Sequence, residues 1–244
     1  MAHRLATNRF LAYTDLTEAE EAALKSLVVR LDEYPANAVV RSEGQSEPQL
    51  YFLRSGMAAA SVNLADGSRQ ITKINLPGDV MGTPSLPFET SVETLTTLTP
   101  ATVGTMSVER IGQLFCDMPR LAAVFFLTSQ EERVILMDRL TAVGQLSTLE
   151  ALASLFAHLD ERFEMIDPDY ARKYEIPLTQ QQLADLIGVS LVHLNRTLRQ
   201  LEEAGEVERR RSSCRLLDRE ALRKRAGFQN RVVRKNLSWL PSAC

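Results

Sequence analysis

Three cysteines and three histidines are all that 244 residues supply of the soft metal ligands and crosslinking side chains. Cys116, Cys214 and Cys244 are odd in number and far apart, which excludes a disulfide framework and leaves no zinc spacing. His3, His158 and His193 are equally scattered. No metal site and no cofactor is expected. No stretch approaches the roughly 20 apolar residues of a membrane-spanning helix. The opening MAHRLATNRFLAYTDLTEAEE also lacks the apolar core of a secretion signal. A cytoplasmic protein without membrane attachment is the resulting expectation. There is no nucleophile elbow, HExxH or phosphate loop, so an enzyme is not expected. Glu131-Glu132 and Glu202-Glu203 read as solvated helix surface.

What is present is concentrated near the end. Residues 178–205, LTQQQLADLIGVSLVHLNRTLRQLEEAG, predict two short helices joined by a tight turn. Thr179 with Gln182 makes a capping box, Gly188 a break, and Ser190 a second cap. Leu183, Ala184, Ile187, Val189, Leu194, Leu198 and Leu201 fit one shared core. The pattern is a helix-turn-helix, which lays its second helix in the DNA major groove. The formal net charge is -3, yet residues 205–235 hold eleven Lys/Arg against four Asp/Glu. A basic end on an acidic body suits phosphate.

Upstream, Thr17 and Glu20 open a predicted helix over 15–31, with Leu24, Leu27, Val28 and Leu31 as its stripe. From about 34 to 106, short apolar runs separated by Gly, Pro, Asp and Ser predict a β-sandwich or roll, with a hairpin turn at Ala65-Asp66-Gly67. Helical spacing resumes over 107–115, and Cys116 reads as a small hydrophobe there. Pro119 opens a long helix to about Val143. Leu121, Phe125, Thr128, Glu132, Ile135, Arg139 and Ala142 form its heptad seam, the expected homodimer interface. Leu127, Val134, Leu136 and Leu140 lie off that seam, so the helix can serve its own domain and a second chain. Gly144 is a candidate hinge, Ser147 with Glu150 caps another helix, and Asp167-Pro168-Asp169 marks a loop. After Gly205, EVERR and CRLL predict two wing strands, and Asp218 caps a last helix. The fold class is α+β. Its expected domains are a roll (1–118), a dimerisation helix and hinge (119–146), a winged helix-turn-helix (147–228) and a tail (229–244).

This order of elements resembles the CRP/FNR superfamily of bacterial transcription regulators. LYFLRSGMAAASVN, INLPGDVMG and TQQQLADLIGVSLVHLNRTLRQLEEAGEV carry the resemblance, over about residues 10–228. It implies a cyclic-nucleotide-binding-like roll and a homodimer on a palindromic double-stranded operator. It also implies contact with RNA polymerase.

On a helix at about 100° per residue, Leu194, Leu198 and Leu201 define the buried side. Val192, Arg196 and Arg199 then face away, with His193, Asn195 and Gln200 at the flanks. Arg196 is the candidate for bidentate guanine contact; Asn195 suits adenine or phosphate, and His193 backbone or phosphate. Leu191 lies close enough to the apolar side to join the core. Thr179, Gln180 and Ser190 at the helix starts, and Arg209, Arg210, Arg211 and Arg215 on the wing, are candidate phosphate contacts. Many family members carry an acid where Val192 stands, so an operator unlike the usual half-site is expected, its halves about 34 Å apart.

The family's nucleotide cassette holds a glutamate and an Arg-Ser pair. Thr83 and Ser91-Val92 stand there instead, and no Lys or Arg occurs between Lys73 and Arg110, although Glu89 and Glu93 do. The effector is not expected to be cyclic AMP. Residues 1–50 contain no cysteine, which excludes an iron–sulfur sensor, and no His or Cys lies between His3 and Cys116 to ligate haem. Met57, Met81, Met106 and Phe52 are candidates to line an apolar effector pocket, with core as their other reading. Cys214, flanked by Arg211 and Arg215, is the candidate redox thiol. The alternatives are a nucleotide- or small-molecule-responsive regulator and an interaction module without DNA binding.

Overall fold

The computed structural model describes residues 8–166, 173–229 and 231–242; His3, Cys244 and the loop signal at 167–169 lie outside them. The chain divides into two units, Met1–Glu132 with Val232–Cys244, and Arg133–Arg231. This division differs from the boundaries read in the sequence. It falls inside the long helix, and the tail joins the first unit.

In the first unit, a short helix α1 (Asn8–Leu11) precedes α2 (Glu18–Ser26), whose capping box is Thr17 with Glu20. The sequence predicted α2 to run to Leu31. It stops at Ser26, and Val28–Tyr34 is strand β1, paired antiparallel with β8 (Ala101–Met106). Val28 and Leu31 close over Gly104 on that partner strand, and β-branched Val28-Val29 favours the extended state. The remaining strands are β2 (Val39–Arg41), β3 (Leu50–Ser55), β4 (Ala58–Asn63), β5 (Arg69–Asn75), β6 (Val80–Met81) and β7 (Thr94–Thr97). They form two four-stranded antiparallel sheets, β1-β8-β3-β6 and β2-β7-β4-β5. Leu53, Ala58, Ala60, Met81, Leu95 and Val103 form a shared core, so Met81 is core. Met57 and Met106 are buried as well. Gly56, at φ +82°, turns β3 into β4, where any Cβ would meet the Pro100 carbonyl. The expected hairpin turn joins β4 to β5, with Gly67 N–H donating to the Leu64 carbonyl at 3.0 Å.

Helix α3 (Val108–Asp117) leads into α4 (Pro119–Gln145). Cys116 is exposed on α3, not buried as its apolar neighbours suggested. Leu121 joins a cluster with Leu27, Leu50, Met106, Ile111 and Leu114. Phe10 meets Phe125 edge-on at 4.9 Å. Glu131 and Glu132 are not solvated surface. Arg9 reaches Asp79 at 2.9 Å, Glu132 at 2.8 Å and Glu131 at 3.2 Å, while Lys73 reaches Glu132 at 2.6 Å. Tyr13 Oη donates to Glu131 at 2.9 Å. The tail returns here: Asn236 N–H donates to the Tyr13 carbonyl at 2.8 Å, and Lys235 pairs with Asp15 at 2.7 Å. Asn75 is buried in β5 with neither amide atom hydrogen-bonded.

In the second unit, α4 runs unbroken through Gly144, the expected hinge. Ser147 and Glu150 then cap α5 (Thr148–Ile166), which buries Leu152, Ala153, Phe156, Leu159 and Phe163. Strand β9 (Glu175–Ile176), absent from the sequence reading, precedes α6 (Gln180–Ile187) and α7 (Leu191–Glu203). The wing strands β10 (Val207–Arg209) and β11 (Cys214–Leu216) form a sheet in the order β10-β11-β9. Asp218 caps α8 (Arg219–Arg225) by accepting from Ala221 N–H at 2.9 Å. Among the described residues, no single helix is long and apolar enough to cross a membrane. No group of three or more His, Cys, Asp or Glu among them is disposed to hold a metal ion.

Candidate nucleic-acid interface

Local chemistry fixes the helix pair. Thr179 accepts from Gln182 N–H at 3.2 Å, and Gln182 Oε1 accepts from Thr179 N–H at 2.8 Å. Gly188 ends α6 at φ +72°, and Ser190 caps α7 by accepting from His193 N–H at 3.2 Å. Leu194, Leu198 and Leu201 are wholly buried, as is nearly all of Thr197, whose hydroxyl donates to the His193 carbonyl at 3.1 Å. The opposite side of α7 is open. Val192 is 72% exposed and Leu191 40%, so Leu191 is surface. Arg196 and Arg199 are exposed and Asn195 half-buried, while Thr179 and Gln180 are half-buried at the start of α6. His193 is exposed, but its Nε2 lies 2.9 Å from Thr148 Oγ1 at the start of α5. Thr148 is a positioning contact that no sequence signal marked. Arg139, one of the expected seam residues, donates instead to the Leu186 carbonyl near the end of α6 at 2.5 Å. Burial lowers its guanidinium to about 10.

The wing is less open than its arginine count suggested. Arg209 Nε meets Glu202 at 2.5 Å, and its N–H donates to the same carboxylate at 2.9 Å, so Glu202 is not free surface. Arg210 lies between Glu175 at 3.2 Å and Glu208 at 3.3 Å, and Arg215 is 3.9 Å from Glu208. Helix α8 is similar: Arg219 pairs with Asp160 and Glu164, each at 2.8 Å, Arg223 with Asp160 at 3.4 Å, and Arg225 with Glu206. Arg231 pairs with Asp138. The local excess of positive charge is largely consumed inside the protein. Among the described residues of α7 and of the stretch after Gly205, Arg196, Arg199, Arg211, Lys224 and Arg234 make no ion pair.

Cys214 does not suit a redox role. Its side chain is buried in β11. Burial, with Glu202 and Glu208 adding to it and Arg209 opposing, pushes the thiol up to about 12. Arg215, the next residue on the strand, points to the opposite face of the sheet, away from the sulfur.

The expected dimer seam also turns inward. Leu121 is wholly buried and Ala142 7% exposed; Phe125, Thr128, Glu132, Ile135 and Arg139 are partly buried. The face left open on α4 is a second heptad seam, Phe126, Ser129, Arg133, Leu136, Leu140 and Val143. Its apolar members are 58%, 52%, 74% and 65% exposed in that order. Alternating steps of three and four residues keep them on one side of the helix.

Two families match the chain: the Cyclic nucleotide-binding domain over residues 31–117 and the Crp-like helix-turn-helix domain over residues 150–225. The chain belongs to the CRP/FNR family. It is a transcription regulator with a helix-turn-helix DNA-binding domain. This CRP/FNR regulator is 26% identical over 231 residues to the nitrogen fixation regulation protein FixK of Azorhizobium caulinodans, covering 91% of each chain. It is 23% identical over 198 residues to the transcriptional activator protein FnrL of Cereibacter sphaeroides, covering 78% of this chain and 77% of that one. Among solved structures it is similar to FixK2 from Bradyrhizobium japonicum. That match has a TM-score of 0.69 at 20% identity and covers 81% of this chain and 97% of the other.

Proposed function

We propose that the chain acts as a homodimer that grips a palindromic operator, one α7 in each of two successive major grooves about 34 Å apart. The observation that carries this reading is the open side of α7. There Arg196 and Arg199 stand unpaired among the described residues beside exposed Val192. Arg196 reads guanine, Asn195 reads adenine or holds phosphate, and Val192 meets a thymine methyl instead of accepting from cytosine. Ser190, Thr179 and Gln180 line the approach to the backbone, and Arg211 offers the wing's unengaged charge. The second copy docks on the exposed α4 seam through Phe126, Leu136, Leu140 and Val143. Contact with RNA polymerase, a cytoplasmic location and the absence of a cofactor complete the reading.

The engagement of the roll's cations speaks against a cyclic phosphate as effector. A buried phosphate anion needs a cation or free N–H donors. Arg41 is spent on Ser91 Oγ at 2.9 Å and on the carbonyls of Gln45, Ser46 and Glu47. Lys73 and Arg9 are spent on carboxylates. Buried Glu93 brings another acid to the same region; burial raises its carboxyl, Lys73 opposes the shift and Glu132 adds to it. We therefore assign no cyclic-nucleotide control to this regulator.

Selection of bound duplexes from a random pool tests the reading, with Arg196→Ala in parallel. The expected product is a two-fold symmetric site unlike the usual family half-site. Arg196→Ala loses preference at one position per half, a discrimination of about 1–3 kcal/mol. Recovery of an asymmetric site, or of no site, overturns the proposal.

A further inference from the structure

Two carboxylates, Glu208 on the wing and Glu175 on β9, flank the wing's exposed arginines. Glu208, Arg215 and Glu175 stand directly opposite one another across the sheet, Glu208 paired with Arg215 and Arg215 with Glu175. Arg210 bridges Glu175 and Glu208 at 3.2 and 3.3 Å, and Ser213 Oγ donates to Glu175. The side chains of Arg210, Arg215 and Glu208 are 41%, 44% and 45% exposed, and that of Glu175 28%. Ion pairs this open contribute little to stability. Arg209 with Glu202 differs: its arginine is only 27% exposed, and Glu202 also accepts the Arg209 backbone N–H. Glu175 and Glu208 therefore hold arginines that the fold does not need held.

We propose that Glu175 and Glu208 are specificity-determining residues that restrain sequence-independent binding. The inference rests on the reading above, that the wing faces the phosphate backbone. An arginine released onto a phosphate contributes affinity through counterion release, whatever the base sequence. A phosphate approaching Arg210 or Arg215 must first displace a carboxylate, which then stands beside it as a like charge. On random duplex no base contact fixes the protein, and the placement with most cation–phosphate contacts prevails. The two glutamates weaken that placement. On the operator, contacts from Arg196 and Asn195 fix α7, and the wing's placement follows. Random duplex thus loses more than the operator does, and the ratio between them rises.

The test measures the full-length protein on random duplex and on its selected operator across a salt series. The variants are Glu208→Gln, Glu175→Gln, the double variant and Arg210→Ala; glutamine at 175 still accepts from Ser213, and thermal unfolding checks each fold. The glutamine variants are expected to bind random duplex roughly three- to tenfold more tightly at low salt. Their log–log salt slope should steepen by about 1 for each arginine released. Operator affinity should rise less. An equal rise on both duplexes overturns the inference. Silent glutamine variants beside an Arg210→Ala that flattens the slope also overturn it, while leaving the wing–phosphate reading intact. If Arg210→Ala and the glutamine variants are all silent, the wing–phosphate reading fails and the inference fails with it.

Discussion

Arg219 Nε sits 2.9 and 2.8 Å from the two carboxylate oxygens of Asp160, tying α8 to the middle of α5. Asp160 is 1% exposed, and Arg223 reaches the same carboxylate at 3.4 Å. The same guanidinium lies 4.4 Å over the ring of Tyr174. Arg219→Ala leaves a buried carboxylate short of its main counter-charge. The expected cost is roughly 3 kcal/mol in denaturant unfolding. Asp160→Asn in the Arg219→Ala background should restore part of that loss, because the uncompensated charge is gone. Additive losses from the two changes would contradict the pairing.

Leu140 is 74% exposed, so Leu140→Arg should change the stability of an isolated copy by less than about 0.5 kcal/mol. Sedimentation should nevertheless show dissociation to a single copy, with operator affinity down at least tenfold. Ile135→Ala is the contrasting change: it should lower the unfolding midpoint and leave the assembled mass unaltered. The reverse result would return the dimer contact to the inward seam.

Cys214 should resist thiol reagents at pH 7.5 in the folded protein, whereas Cys116 reacts. A thiol raised from 9.0 to about 12 has roughly a thousandfold less thiolate. A Cys116→Ser, Cys244→Ser background isolates it for a timed reaction with a disulfide reagent, and denaturant should restore the ordinary rate. Rapid labelling without denaturant would reopen the redox reading.

His158 lies edge-on to Phe228 at 4.8 Å, with Nε2 3.8 Å from Asp138. Burial lowers its imidazole below the ordinary value of 6.5, and attraction to Asp138 only partly offsets this. The folded state thus takes up the proton less readily than the unfolded one. Stability should hold above pH 6.5 and fall as the pH drops through that value. Melting curves from pH 7.5 to 5 should show the loss, and His158→Gln should diminish it. A wild type that gained stability on acidification would give the shift the opposite sign.

The helix pair was legible in the sequence because its determinants are local. Thr179 with Gln182, Gly188 and Ser190 each act within four residues, and so does the Asp66-Gly67 hairpin. Strand β1 was not legible, since Leu27, Val28 and Leu31 satisfy a helical stripe as readily as the strand, and only pairing with Gly104 decides. Helix α4 has two heptad seams, and the residues that choose between them, Arg9, Lys73 and the Leu186 carbonyl among them, lie far away in the chain. Charge misled for a related reason. The arginines after Gly205 form a visible run, but many of their partners, Asp160, Glu164, Glu175 and Glu202, precede it and announce nothing by spacing.

Asn75 presses an amide into the β-roll without giving either polar atom a mate. A leucine there, branched alike though bulkier, removes that desolvation cost, roughly 1–3 kcal/mol for each stranded group. The melting temperature of this regulator is therefore not at its ceiling. Thermal selection on a mutagenised pool would find a gain at position 75, in the unit that does not carry the helix-turn-helix.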